Sequence, residues 1–171
     1  VSAVDTAGNS AAMTDTSNVS IDTTAPIITD AKITVSGASG SNGAFVADDL
    51  LTVIWDNSAT GDGNTDIDSA TVDLSAFGGS ETQELTEDAN GVWSATYTIA
   101  TTSTNGSNLN ATVSAVDTAG NSAAMTDTSN VSIDTSAPKP VALTPFSVNE
   151  YPAGQVAFKA DDEIDITLTL D

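Results

Sequence analysis

The stretch VSAVDTAGNSAAMTDTSNVSIDTTAP at 1–26 returns as VSAVDTAGNSAAMTDTSNVSIDTSAP at 113–138, with Thr24 against Ser136 the only difference. The offset of 112 residues is about the length of one two-sheet β domain, so this period governs how everything between the copies is read. Each copy reads as a strand, a tight turn, a second strand and a linker. The chain of 171 residues is shorter than two periods and divides into three parts. Residues 1–22 read as the closing strands of one repeat, 23–134 as a complete repeat, and 135–171 as the opening strands of a following, divergent repeat.

Composition narrows the chemistry. With 24 acidic and 3 basic residues the formal charge is -21, which repels nucleic-acid phosphates and anionic membrane surfaces and favours cations as partners. Cysteine and histidine are both absent, so disulfides, thiolate or imidazole metal ligation and the usual general base are excluded. Only oxygen ligands remain. An enzyme is not expected, because a carboxylate pair is the sole acid-base apparatus and none sits on a recognisable cleft-forming motif. No signal peptide or long apolar run is visible, and direct membrane insertion is not expected. A Ser/Thr/Asp-rich acidic chain can also be a disordered linker, but short β-branched runs alternate here between Gly, Asn and Asp clusters, as in an all-β domain.

In chain order, DTTAP at 22–26 breaks the pattern, and Pro26 makes it a stiff linker. Residues 27–36 read as the first strand, and Phe45 as a plug for one end of the core. In ADDLLTVIWD at 47–56, Leu51, Val53 and Trp55 take the inner face, since they align with Ile164, Ile166 and Leu168 of ADDEIDITLTLD at 160–171. DNSATGDGNTDID at 56–68 is a long acidic loop. Residues 69–77 form a middle strand with Val72 and Leu74 assigned to opposite faces, which leaves its phase open. DANG at 88–91 is a hairpin turn leading into VWSATYTI, whose Trp93 is a core residue by its strand phase rather than a ligand platform. A polar loop covers 100–108. Ala111, Val113 and Ala115 then point inward before the DTAGNS turn, where Gly120 takes positive φ. The last strand runs from about 123 to 133, with Val131 and Ile133 inward. About seven strands in this order predict an immunoglobulin-like β-sandwich with Greek-key connections, one unit of a tandem array.

VSAVDTAGNSAA followed by VSIDTTAP resembles the closing strands of bacterial immunoglobulin-like repeats of giant secreted adhesins, and GVWSATYTI resembles the tryptophan-bearing strand of that family. The ADD-plus-strand phrase is similar to its second strand, so the resemblance covers the whole complete repeat. It implies a cell-surface or secreted bacterial array whose junctions are stiffened by calcium. Neighbouring repeats of the same chain would then be its partners.

Calcium takes six to eight oxygen ligands, mostly carboxylates and carbonyls. In a sandwich of this topology Asp56, Asp117 and Asn121 should gather near the incoming linker residue Asp22, and Asp48 and Asp49 near Asp134 at the outgoing end. A second candidate is DGNTDID, where Asp62, Asn64, Asp66 and Asp68 have the alternating spacing of a calcium loop. It departs from that pattern at Ile67, in place of the sharp-turn glycine, and at Asp73, in place of the bidentate glutamate. Alternatively, each Asp merely caps a turn. Three functions follow as expectations: a rigid extender, a calcium-dependent module that binds a glycan or protein through the 56–68 loop, or a surface-layer or filament subunit joining neighbouring chains through its incomplete ends.

Overall fold

The computed structural model describes residues 1–139. The segment 140–171, with Ile164, Ile166 and Leu168, lies outside the described residues. The strands are β1 (Ser2–Val4), β2 (Ser10–Ala12), β3 (Ile33–Ser36), β4 (Ala44–Phe45), β5 (Leu50–Asp56), β6 (Ile67–Asp73) and β7 (Gln83–Glu84), followed by β8 (Thr86–Glu87), β9 (Val92–Thr98), β10 (Gly106–Leu109), β11 (Thr112–Asp117), β12 (Ser122–Thr126) and β13 (Val131–Ile133). Among the described residues, helical turns are confined to short 3-10 segments at Asp30–Lys32, Ser41–Gly43 and Ser75–Phe77.

Two four-stranded sheets carry the repeat, in the orders β3-β5-β9-β8 and β12-β11-β6-β7. Strand alternation aims one side of each sheet at the other. Leu51, Val53 and Trp55 from β5, Val72 from β6 and Val113 from β11 are all fully buried in one apolar cluster, the arrangement of a β-sandwich. Trp93 lies directly across from Trp55 in the β5–β9 ladder, with ring centroids 6.3 Å apart. It is a core residue, as its strand phase requires. The chain changes sheets at the buried Leu85: β7 pairs with β6, and β8 pairs with β9 through the DANG hairpin. There Asp88 accepts the Asn90 and Val92 N–H groups and Gly91 sits at φ +83.

A third ladder, β10-β13-β4, prolongs the β11–β12 hairpin and closes one end of the core. Its β13 runs parallel to β4, pairing Ile133 with Phe45, and Phe45 meets Phe77 edge-on at 6.4 Å. The N-terminal copy forms its own hairpin, β1 on β2, and its side chains are exposed.

Four readings of the sequence are corrected. Only 33–36 of the expected strand 27–36 is paired, because the backbone at 27 and 29 is bonded instead to Asn64 and Asp62. Val72 and Leu74 are both fully buried; the strand stops at Asp73, and a 3-10 turn then tucks Phe77 into the core. The loop at 100–108 contains the start of β10. The last strand is two strands, broken where the buried Asp127 accepts the Ser129 N–H and hydroxyl. Polar residues at the break satisfy their hydrogen bonds locally, which interrupts the ladder.

Candidate metal centre

Alternation along β11 puts residues 113, 115 and 117 on the core side, so Asp117 is a carboxylate at a buried position, only 2% exposed. Burying a charge is costly unless donors replace water. The DTAGNS turn provides them. One oxygen of Asp117 accepts the Ala119 and Asn121 N–H groups at 2.9 and 2.8 Å, and the other accepts Asn121 Nδ2 at 2.8 Å. Gly120, at φ +92, lets the turn close. The Asn121 side chain, then the turn N–H groups, hold the Asp117 pKa below its ordinary value against the opposing effect of burial.

Two further acids converge on this turn. The β6–β11 ladder shifts register between Val116 and Asp117, and beyond the shift the Thr118 N–H donates to Asp66 O at 2.9 Å. That irregularity carries Asp66 alongside Asp117. From the linker comes Asp22, whose carbonyl accepts Asn121 Nδ2 at 3.4 Å. Asp22, Asp66 and Asp117 place one carboxylate oxygen each within 4.8 Å of one another. Three carboxylates with an adjacent carboxamide suit a hard dication. The Asn121 amide could turn its oxygen inward where its nitrogen now donates to Asp117. No sequence spacing pointed to Asp66 at this junction; the signal that could have found it is the pairing of 67–73 with 112–117.

The other candidate residues are placed differently. Asp56 stays out of the triad because β5 belongs to the opposite sheet. Its carboxylate accepts the Ser58 N–H at 3.1 Å and lies 3.9 Å from Lys32 Nζ. Both contacts, Ser58 first, lower its pKa. Asp48, Asp49 and Asp134 are not drawn into one group. Asp48 is exposed at a positive-φ position, and Asp49 turns inward to accept the Ser39 N–H, the Ser39 hydroxyl and the Val46 N–H. Asp134 instead accepts Asn105 Nδ2 at 2.7 Å.

The acidic loop is used as an internal fastener. Asp62 accepts Trp55 Nε1, Thr29 N and Thr29 Oγ1 at 2.8, 3.0 and 2.7 Å, while Asn64 exchanges hydrogen bonds with Ile27 N and O, both at 2.8 Å. Gly61 is confined to glycine by a close approach, since a Cβ there would lie 2.1 Å from Asp56 O. Asp68 is exposed, and Asp73 caps the Ser75 N–H. Of the calcium-loop set, only Asp66 reaches the triad.

The bonds to Asp49 predict a pH effect. Ser39 and Val46 lower its pKa in the fold, so its stabilisation is fully present above the unfolded-state value of about 3.9 and is lost as pH falls through the lower folded value. Asp49→Asn is expected to lower the thermal midpoint at neutral pH, with the gap from the parent chain closing as pH falls through that lowered folded value. Calorimetry across that range checks it; a gap that persists in acid would refute it.

Among the described residues, no helix is long and apolar enough to cross a membrane. Compared with protein-family models, curated proteins and solved structures, the chain finds no match.

Proposed function

We propose that the chain is an extender segment of a bacterial cell-surface or secreted array, stiffened at the incoming linker by calcium held between Asp22, Asp66 and Asp117. The observation that carries this reading is that the linker itself delivers one of the three converging carboxylates. Without a cation the three charges repel and push the linker away from the turn; with one, the linker becomes a strut fixed to the sandwich. The same linker aspartate recurs 112 residues on as Asp134. The repeated stretch preserves its loops as well as its strands, which suits a spacer better than a recognition site that must differ from its neighbours. Commitment of Asp62 and Asn64 to Trp55 and residues 27–29 further favours a spacer over a ligand-capturing loop.

Titration calorimetry and thermal unfolding of the full chain test the reading. Calcium at about 100 times its dissociation constant is expected to add about 2.7 kcal/mol to stability. Asp66→Asn should remove most of that gain. A melting curve that chelator leaves unmoved overturns the clamp.

A further inference from the structure

The outgoing linker is docked on the sandwich by one side chain. Gly106 pairs with Ile133 in the β10–β13 ladder, which sets the preceding Asn105 beside Asp134. Asn105 Oδ1 accepts the Thr135 N–H at 2.9 Å and the Thr135 hydroxyl at 3.1 Å, while Nδ2 donates to Asp134 Oδ1 at 2.7 Å and Ser136 Oγ at 3.0 Å. A carboxamide offers two lone pairs and two N–H donors, so the linker engages its full capacity. A carboxylate in its place could not donate. Aspartate at 105 would forfeit both Nδ2 bonds and set a second negative charge against Asp134. The linker's own turn is local: Asp134 accepts the Ser136 N–H at 3.0 Å, as Asp22 accepts the Thr24 N–H at 2.9 Å. Docking on Asn105 is a contact added to that turn.

The residue after Asn105 is glycine. Asn-Gly stands at 42–43, 90–91 and 105–106, and it is the pair at which asparagine most readily reacts with its own backbone, because no Cβ shields the glycine nitrogen. The Gly106 amide nitrogen loses its proton to water and bonds to Asn105 Cγ; the Cγ–Nδ2 bond breaks and Nδ2 leaves as ammonia. One water then opens the cyclic imide at either of its C–N bonds, giving aspartate or isoaspartate. In sum, asparagine and water become an acid and ammonia. A Cβ at Gly106 would lie 3.1 Å from Leu109 Cδ2, so close packing keeps glycine, and with it the reactive pair, at this place. Docking opposes the first step, since Cγ must swing onto the Gly106 nitrogen while the linker holds both ends of the amide. The other two pairs serve no such contact: Asn42 is exposed, and Asn90 is bonded within its own turn to Asp88.

We propose that Asn105–Gly106 is a self-modifying latch: the Asn105 carboxamide fixes the outgoing linker to the sandwich, and its conversion to aspartate or isoaspartate when the linker lifts releases the linker permanently. The rate follows the undocked fraction of the linker, a local opening that leaves the domain folded. Release begins beyond Asp134, whose N–H stays bonded to Phe45 O at 2.8 Å, so β13 keeps its place and the core stays closed. The latch uses no metal and stands apart from the clamp at the incoming linker.

The full chain aged in mildly alkaline buffer, with mass-spectrometric peptide mapping of every Asn-Gly pair, tests the latch. In the parent, Asn105 is expected to convert more slowly than Asn42. Asp134→Ala with Thr135→Ala removes the Nδ2 bond to Asp134 and the Thr135 hydroxyl's bonds to Asn105 and Ser103, and should speed conversion at Asn105 about tenfold while Asn42 and Asn90 keep their rates. Asn105 converting as fast as Asn42 in the parent, or at the same rate in parent and variant, overturns the proposal. A rise shared by Asn42, Asn90 and Asn105 reports unfolding of the variant, and hydrogen exchange in Asn105→Asp then decides. There the Thr135 amide is expected to exchange about tenfold faster than in the parent, while the Asp134 amide keeps its protection. Unchanged protection at Thr135 overturns the proposal.

Discussion

Phe45→Ala is expected to cost the repeat about 3–5 kcal/mol, the range for truncating a fully buried phenylalanine. Three features place Phe45 at the upper part of that range. Its ring meets Phe77 edge-on at 77° between planes, so removal leaves a second aromatic ring beside a cavity. Its backbone pairs with β13, and its carbonyl accepts the Asp134 N–H at 2.8 Å, so collapse around the cavity moves the final strand too. The parallel β4–β13 ladder is only two residue pairs long, so it has little spare pairing to resist that movement. A domain of this size has a total stability of about 5–15 kcal/mol, so the loss is a large share of it. Urea unfolding of the full chain measures it. A loss below about 1 kcal/mol would mean that Phe45 does not seal the core. Ile27→Ala, at a position 59% exposed, serves as the near-neutral control.

The sequence reading succeeded where structure is decided locally and failed where it is decided across the fold. The DTAGNS turn is the clearest case. It forms the same hydrogen bonds at Asp5 as at Asp117, although only the second copy is packed into a core. Its geometry is thus encoded within six residues, and Gly120 could be assigned in advance. Alternation likewise identified Leu51, Val53 and Trp55, because one buried face fixes the phase of a whole strand. The final strand shows the limit. Residues 131–133 are a strand and the identical 19–21 are not, since β13 exists only by pairing with β10 and β4. The same limit governs the metal site. Asp117 and Asn121 were legible as a turn, and Asp22 as a recurring linker acid, but Asp66 arrives through a register shift between distant strands. Asp56 was misplaced because nearness to a pole does not specify which sheet a strand joins.

Asp62→Ala is expected to cost about 2–4 kcal/mol, and it separates the two roles open to the acidic loop. Trp55 is fully buried, and its indole N–H donates to Asp62 at 2.8 Å. Alanine leaves that donor buried without an acceptor, at a cost of about 1–3 kcal/mol, and two bonds to Thr29 add about 0.5–1.5 kcal/mol each before the loop relaxes. Asn64 still holds Ile27, so the incoming segment at 27–29 loosens without detaching. Asp68→Ala removes an exposed carboxylate from the same loop sequence and should change stability by no more than about 0.5 kcal/mol. The decisive comparison is between calcium and chelator. If Asp62 fastens the loop to Trp55 and Thr29, Asp62→Ala costs the same in both, because no ion takes part in those bonds. Were Asp62 a calcium ligand, the cost would appear with calcium and vanish with chelator, since binding stabilises only when the free ion is present. A chelator-independent loss at Asp62 together with a calcium-dependent loss at Asp66 would assign neighbouring acids of one loop to different tasks, one holding the incoming segment at 27–29 on the sandwich and the other holding the linker.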